Sequence, residues 1–185
     1  VSRSRGKKST VSKALFIPLS VLEMEVEHLN KRDLHRIKET RICFPLNDVC
    51  CDPVKNVLAL FLSEVLFRVV KDTEPDPRLF DYLYESIHLL EYADKGIANF
   101  HLVFLLGLLH HLGIFPNMES HRVGYYFDML NGVFTDHIPM HRHYLNKVES
   151  AFFSRLLRIG FENMSLYGFS RQERVRIIHR ILEYY

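Results

Sequence analysis

Residues 97–115 read IANFHLVFLLGLLHHLGIF, and this stretch decides the fold. Wound as a helix, it carries apolar side chains nearly all round, which marks a segment buried at the centre of a core. The pattern predicts a helix over about Ala98 to Leu112, with Gly113 as its stop and Pro116 just beyond. His101, Gly107, His110 and His111 interrupt the run before it reaches the roughly 20 apolar residues of a membrane span. A buried core helix is therefore expected.

Working outward, the chain reads as helical from Asn47 onward. Asp52-Pro53 is an N-cap followed by proline at the first helical position, and Asp76-Pro77 repeats the signal. Behind the first, Val54, Val57, Leu58, Phe61, Leu62, Val65, Leu66 and Val69 follow i, i+3, i+4 spacing. Behind the second, Leu79, Phe80, Leu83, Ile87 and Leu90 form the stripe, and Gly96 is read as its end. Residues 117–140 lose the helical period. Asn131-Gly132, flanked by Phe127, Met129, Val133 and Phe134, is a hairpin signal. Helix returns at about His143, with Leu145, Val148, Phe152, Leu156 and Ile159 on one face and Gly160 closing it. Ser170 and Glu173 form an S-x-x-E capping box. It opens a last helix with Val175, Ile178, Leu182 and Tyr185 in register.

The N-terminal part has a different texture. Leu22, Met24 and Val26 alternate with Glu23, Glu25 and Glu27, the period of a strand with one wet face. His28 to Asp33 is a turn-rich break, and Leu34 to Cys43 reads as a second strand. A lone hairpin is marginal in water, so residues 15–43 look like part of a larger sheet. Before them, residues 1–13 (VSRSRGKKSTVSK) hold Arg3, Arg5, Lys7, Lys8 and Lys13 and no acid. They carry no apolar run of the kind that forms a signal peptide.

The 185 residues suffice for one ordinary domain plus part of a second. Apolar residues at 48% and charged residues at 25% exclude a disordered or low-complexity chain. The net charge of +2 leaves only its distribution to indicate a partner. Cys43, Cys50 and Cys51 are odd in number and lack a C-x-x-C pair, which favours a reduced cytoplasmic chain over a disulfide scaffold.

Four features could carry chemistry. The cationic segment, Arg3, Arg5, Lys7, Lys8 and Lys13, suits phosphates, each of which adds salt-dependent affinity; its bland reading is a solvated arm. Arg171, Arg174, Arg176 and Arg180 share the last helix with Glu173 and Glu183. Arginine can fork onto phosphate or carboxylate, but an ordinary wet face of an amphipathic helix is the simpler reading. His121, His137, His141 and His143 stand in the irregular region, but without cysteine or a close carboxylate pair they read as surface or capping histidines, and no metal is expected. Cys50 and Cys51 precede a helix start that could lower a thiol pKa, yet small half-buried residues are the simpler reading. The sequence has no G-x-S-x-G, Walker A, G-x-G-x-x-G or H-E-x-x-H motif. Neither catalysis nor a cofactor is expected.

The order of segments carries a resemblance. VSRSRGKKST is followed by LEMEVEHLNKRDLHRIKE, then by LFDYLYESIHLLEYADKGIANFHLVFLLGLLHHLGIFPN with its L-G-x-x-P exit at Leu112, Gly113 and Pro116. In this order the chain resembles the RecO family of recombination mediators, in a Bacteroidetes-like form, over essentially its whole length. The resemblance implies an α+β, mainly α, protein: the remnant of an N-terminal OB-fold β-barrel over 1–46, its first strands missing, then a helical-bundle C-terminal domain over 47–185. It also implies a non-catalytic protein that binds single- and double-stranded DNA and anneals complementary strands. Expected partners are RecR and single-strand-binding protein, with RecA loaded indirectly, in the cytoplasm at the nucleoid and away from membranes. Residues 1–13 would lie beside the groove with which an OB-fold tracks a nucleic-acid backbone.

One departure stands out. Many members of the family carry a four-cysteine zinc finger after that exit, whereas the insert here, at about 117–142, contains no cysteine. Packing by Tyr125, Tyr126, Phe127 and Phe134 is the expected replacement. The acidic tail of single-strand-binding protein would need an apolar notch edged by cations, for which Arg155, Arg158, Arg171 and Arg174 are available. The alternative to a DNA-binding mediator is a helical protein-interaction or ligand-binding domain with an incidental basic arm.

Overall fold

A computed structural model describes residues 15–28, 35–71 and 74–185. The cationic segment with Arg3, Arg5, Lys7, Lys8 and Lys13 lies outside the described residues, as does most of the break before the second strand. The chain divides into two compact units, 1–74 and 75–185.

In the first unit, β1 (Leu22–Glu27) and β2 (Arg36–Ile42) pair antiparallel, with an irregularity between Glu25 and Val26. Leu22, Met24 and Val26 stand opposite Ile42, Thr40 and Ile37, so one face of the hairpin is apolar. The other face is charged: Arg41 donates to both carboxylate oxygens of Glu23, at 2.8 and 2.5 Å, and Lys38 lies 3.8 Å from Glu25. The alternation predicts one wet face, but the apolar face is accessible too, with Met24, Val26 and Ile42 exposed.

A short helix, α1 (Asn47–Cys51), leads into α2 (Pro53–Val70). Asp52 caps α2 as its sequence predicts, its carboxylate accepting from the amides of Val54 and Lys55 at 2.7 and 2.9 Å. Leu58, Ala59, Leu62 and Val65 are buried, but Val54 and Val57 of the expected stripe are exposed, as are Leu60 and Phe67. The helix is rich in apolar residues on more than one side, so spacing alone did not select its buried face. Lys55 is buried and lies 3.5 Å from Asp48. Cys43, Cys50 and Cys51 are free and exposed.

The second unit is built on α4 (Ile97–His111), where the apolar run predicts it. Phe100, Leu102, Val103, Phe104, Leu105, Leu106, Leu108 and Leu109 are all buried. Around α4 stand α3 (Pro77–Tyr92), the later helix α6 (Arg171–Tyr184) and a 3-10 turn at Met164–Leu166. Asp76 caps α3 through the amide of Arg78. Gly96 does not end α3, as its position suggests. The helix stops at Tyr92, and Gly96 is the N-cap of α4, at a φ of 75° that side chains rarely adopt. Phe80, expected in the α3 stripe, is exposed, while Ser86 and Glu91 are buried.

The irregular region folds as a small sheet in the order β4–β3–β5, from β3 (Tyr126–Asp128), β4 (Val133–Thr135) and β5 (Tyr144–Leu145). The β3–β4 hairpin turns at Asn131-Gly132 as predicted, with Gly132 at a φ of 65°. Phe127 and Phe134 pair across it and are buried, the first against Phe153. α5 (Lys147–Leu156) begins later than expected because Tyr144 and Leu145 join the sheet, and Asn146 closes a capping box with Glu149. Its buried face holds Ser150, Phe153, Ser154 and Leu156, while Val148 points to solvent. α6 has its predicted Ser170–Glu173 capping box, but Ile177 and Ile181 are the residues buried, and Val175 and Leu182 are exposed. Among the described residues no helix is long and apolar enough to cross a membrane.

Candidate nucleic-acid and partner interface

The cations of α6 take different roles. Arg180 donates to Glu149 at 2.6 Å and to Glu183 at 2.8 Å, so it clamps α6 to the start of α5. Both carboxylates hold its charge, raising the pKa of the guanidinium above its ordinary value, the Glu183 hydrogen bond first. Arg174 donates to the carbonyl of Phe169, closing the turn before the helix. Arg171 and Arg176 line an open surface pocket with Gln172 and Val175. The wet-face reading thus fits Arg171 and Arg176, which face solvent, whereas Arg174 and Arg180 hold structural contacts within the helical unit.

Beside them, α5 and α6 enclose a groove of about 570 Å³. Its lining includes Phe152, Phe153 and Ile177, and Arg155, Arg176 and Glu149 stand at its edge. Arg155 reaches back over the Phe152 ring, at 6.0 Å from its centroid, and donates to the Ala151 carbonyl. An apolar floor with guanidinium groups at the rim can take an acidic peptide that ends in an apolar side chain. Of the four candidates for such a notch, the structure places Arg155 on this groove, Arg171 on the adjoining pocket and Arg174 on α6, bonded back to the turn before it; Arg158 is exposed. Arg176, not among those four, lines both features.

The histidines of the insert each have a separate neighbour. His137 contacts Asp136 at 2.9 Å and Thr135 at 2.8 Å, His141 lies 3.2 Å from Asp128, His143 lies 3.9 Å from Glu183, and His121 meets the Phe134 ring edge-on. Burial pushes the Asp128 carboxyl up, but hydrogen bonds from Asn131 and from the amides of Asn131 and Leu130 outweigh it and hold the group below its ordinary value. No group of three or more His, Cys, Asp or Glu side chains suited to a metal ion occurs among the described residues.

The sequence is similar to known proteins. The family model for the C terminal of recombination protein O matches residues 51–185. The DNA repair protein RecO of Azobacteroides pseudotrichonymphae is 40% identical over 184 residues, which cover 100% of this chain and 76% of that protein. The chain belongs to the RecO family. The RecO of Bacteroides fragilis is 40% identical over 186 residues, and that of Porphyromonas gingivalis is 37% identical over 186. All of this chain is covered in both, with 77% and 76% of the respective relatives. No solved structure matches.

As a RecO-family protein the chain has a role in DNA repair and recombination. The sequence pattern assigns no partner to three polar side chains that build its helical unit. Asn99, buried in α4, donates to the carbonyls of Met164 and Tyr167 at 2.9 and 2.7 Å and fixes the 3-10 turn to the core. Tyr184 and Tyr185 donate to the carbonyls of Ile114 and Leu105, both at 2.6 Å. A polar residue inside an apolar run, as Asn99 is, was the available signal, since a buried amide must find partners. The tyrosines sit at positions where periodicity says nothing of a hydroxyl's partner.

Proposed function

We propose that this chain is a non-catalytic recombination mediator that binds single- and double-stranded DNA, anneals complementary strands and assists recombinase loading. The observation that carries the reading is the clustering of Arg3, Arg5, Lys7, Lys8 and Lys13 without an acid, in a chain of the RecO family. Cations so grouped release counterions from phosphates whatever the base sequence. That suits a protein acting on any pair of complementary strands.

In this reading residues 1–46 form part of an OB-fold and 47–185 form the helical C-terminal domain, with the irregular insert at about 117–142. The accessible apolar face of the β1–β2 hairpin, with Met24, Val26 and Ile42, supports a larger sheet. The protein works in the cytoplasm at the nucleoid with RecR and single-strand-binding protein, and acts on RecA indirectly. The α5–α6 groove supports docking of the acidic tail of single-strand-binding protein, with Arg155 and Arg176 as carboxylate partners.

The test is annealing of complementary labelled oligonucleotides, bare and coated with single-strand-binding protein. The mediator reading expects faster annealing of both. Arg176→Ala should slow the coated reaction more than the bare one. Should the chain bind no oligonucleotide and accelerate neither reaction, it is a helical interaction domain with an incidental basic arm.

A further inference from the structure

We propose that a pocket in the second unit, lined by Tyr82, His110, Phe115, Phe161 and Glu162, receives the guanidinium group of an arginine from a partner protein. The pocket lies between α3, α4 and the turn after α5, and its volume is about 170 Å³. That is close to the ~150 Å³ of a cavity that accepts a benzene ring. It is therefore too small for a nucleobase together with its sugar and phosphate, but large enough for one planar side-chain head.

Its chemistry is that of a cation site. Tyr82, Phe115 and Phe161 supply aromatic rings, with Tyr82 and Phe161 centroids 6.4 Å apart. The Tyr82 hydroxyl is already committed to the Phe104 carbonyl at 2.7 Å, so the residue offers the pocket its ring rather than a donor. His110 stacks on Phe115 at 3.5 Å, and burial, then the neighbouring His111, push its pKa down, so it is neutral at pH 7 and does not repel a cation. Among the described residues the single formal charge in the lining at that pH is Glu162. It has no hydrogen-bond or salt-bridge partner among the described residues, unlike Glu149, Glu173 and Glu183 nearby in sequence. Its carboxylate folds back over residue 160, where a Cβ would stand 2.4 Å from each oxygen, so the absent side chain of Gly160 leaves room for this position of the carboxylate.

Aromatic rings beside one carboxylate without a hydrogen-bond or ion-pair partner can attract a cation twice, through the ring quadrupoles and through the charge. A planar guanidinium can stack on a ring and fork onto a carboxylate together, which a lysine ammonium cannot. The same negative charge repels DNA phosphates, so this pocket serves a protein contact separate from the DNA-binding role proposed above.

The test uses the isotopically labelled 185-residue chain and three short capped peptides that differ at one position, arginine, citrulline or lysine. Isolated side-chain contacts of this kind bind weakly, so peptide is added to concentrations on the order of 10 mM. The expected result is a saturable shift of the Phe115, Phe161 and Glu162 signals with the arginine peptide and a much smaller one with citrulline, its uncharged near-isostere. Glu162→Gln, an exposed and conservative change, should weaken arginine binding on the order of tenfold while leaving the rest of the spectrum unchanged. Equal binding of citrulline overturns the cation site. Tighter binding of lysine overturns the guanidinium assignment. Shifts confined to the α5–α6 groove, or none that saturate, overturn the pocket itself.

Discussion

Tyr82 on α3 donates its hydroxyl to the main-chain carbonyl of Phe104 on α4 at 2.7 Å, and the approach exists because residue 107 is glycine. A Cβ at 107 would stand 2.4 Å from that hydroxyl and 2.9 Å from the ring carbon bearing it. Alanine in place of glycine inside a helix ordinarily stabilises by about 0.5–1 kcal/mol. Here the sign should reverse. Gly107→Ala must push Tyr82 off α4, and we expect a destabilisation on the order of 1–3 kcal/mol in denaturant unfolding. The Tyr82→Phe, Gly107→Ala double variant should cost less than the two single changes added together, because they remove one shared contact. Strict additivity would refute the relationship.

The core gives the second expectation. Leu105 and Leu109 have 0% of their surface accessible. Leu→Ala at either should lower stability by about 2–5 kcal/mol, the transfer loss plus the cavity left behind. Unchanged denaturation midpoints would contradict the central position of α4.

This helix was legible from residues 97–115 alone, because an all-round apolar run has one stable place in a fold. The caps at Asp52, Asp76 and Ser170 were equally legible, since each is a local contract between a side chain and the next few amides. The buried face of the less central helices was harder to read. Val57 on α2 and Val148 on α5 fit the periodic stripe yet lie at the surface, while Ser150 and Ser154 are buried. Which flank of such a helix is covered depends on what stands beside it, and periodicity does not encode that. The same holds for Glu162 and Gly160, whose closeness comes from the turn after α5 and from no motif. The expected cationic site at Arg3 to Lys13 lies outside the described residues and rests on charge pattern alone.

Acid should destabilise the helical unit through His101. Burial first, then the charge of Arg174, push its pKa down from 6.5 to about 4. Between those values the unfolded chain binds a proton that the native state refuses, so stability falls as pH drops through the window from 6.5 toward 4. At about 1.36 kcal/mol per pKa unit the loss is at most on the order of 3 kcal/mol. His101→Gln should flatten the dependence of Tm on pH in that window. The depressed carboxyls of Asp128 and Glu173 act separately: their contribution is present above the ordinary carboxylate pKa and is lost only in more acidic solution.

Metal removal should have no effect. His121, His137, His141 and His143 each meet a different neighbour, and Phe127 and Phe134 fill the middle of the insert. The purified protein should hold no stoichiometric zinc by elemental analysis, and a chelator should leave Tm unchanged. One zinc per chain together with a chelator-induced fall in Tm would make these histidines ligands.

The most direct test of the mediator account is the salt dependence of oligonucleotide binding. If Arg3, Arg5, Lys7, Lys8 and Lys13 contact phosphates, the logarithm of the binding constant falls linearly with the logarithm of salt concentration. Each contact adds about 0.7 to the slope on a single strand and about 0.9 on a duplex. The account predicts a steep slope for the wild-type chain, flattened by about 1.5 in the Lys7→Ala, Lys8→Ala variant, with affinity reduced alike for every base sequence. A slope that is the same in the variant and the wild type, or binding indifferent to salt, would contradict it.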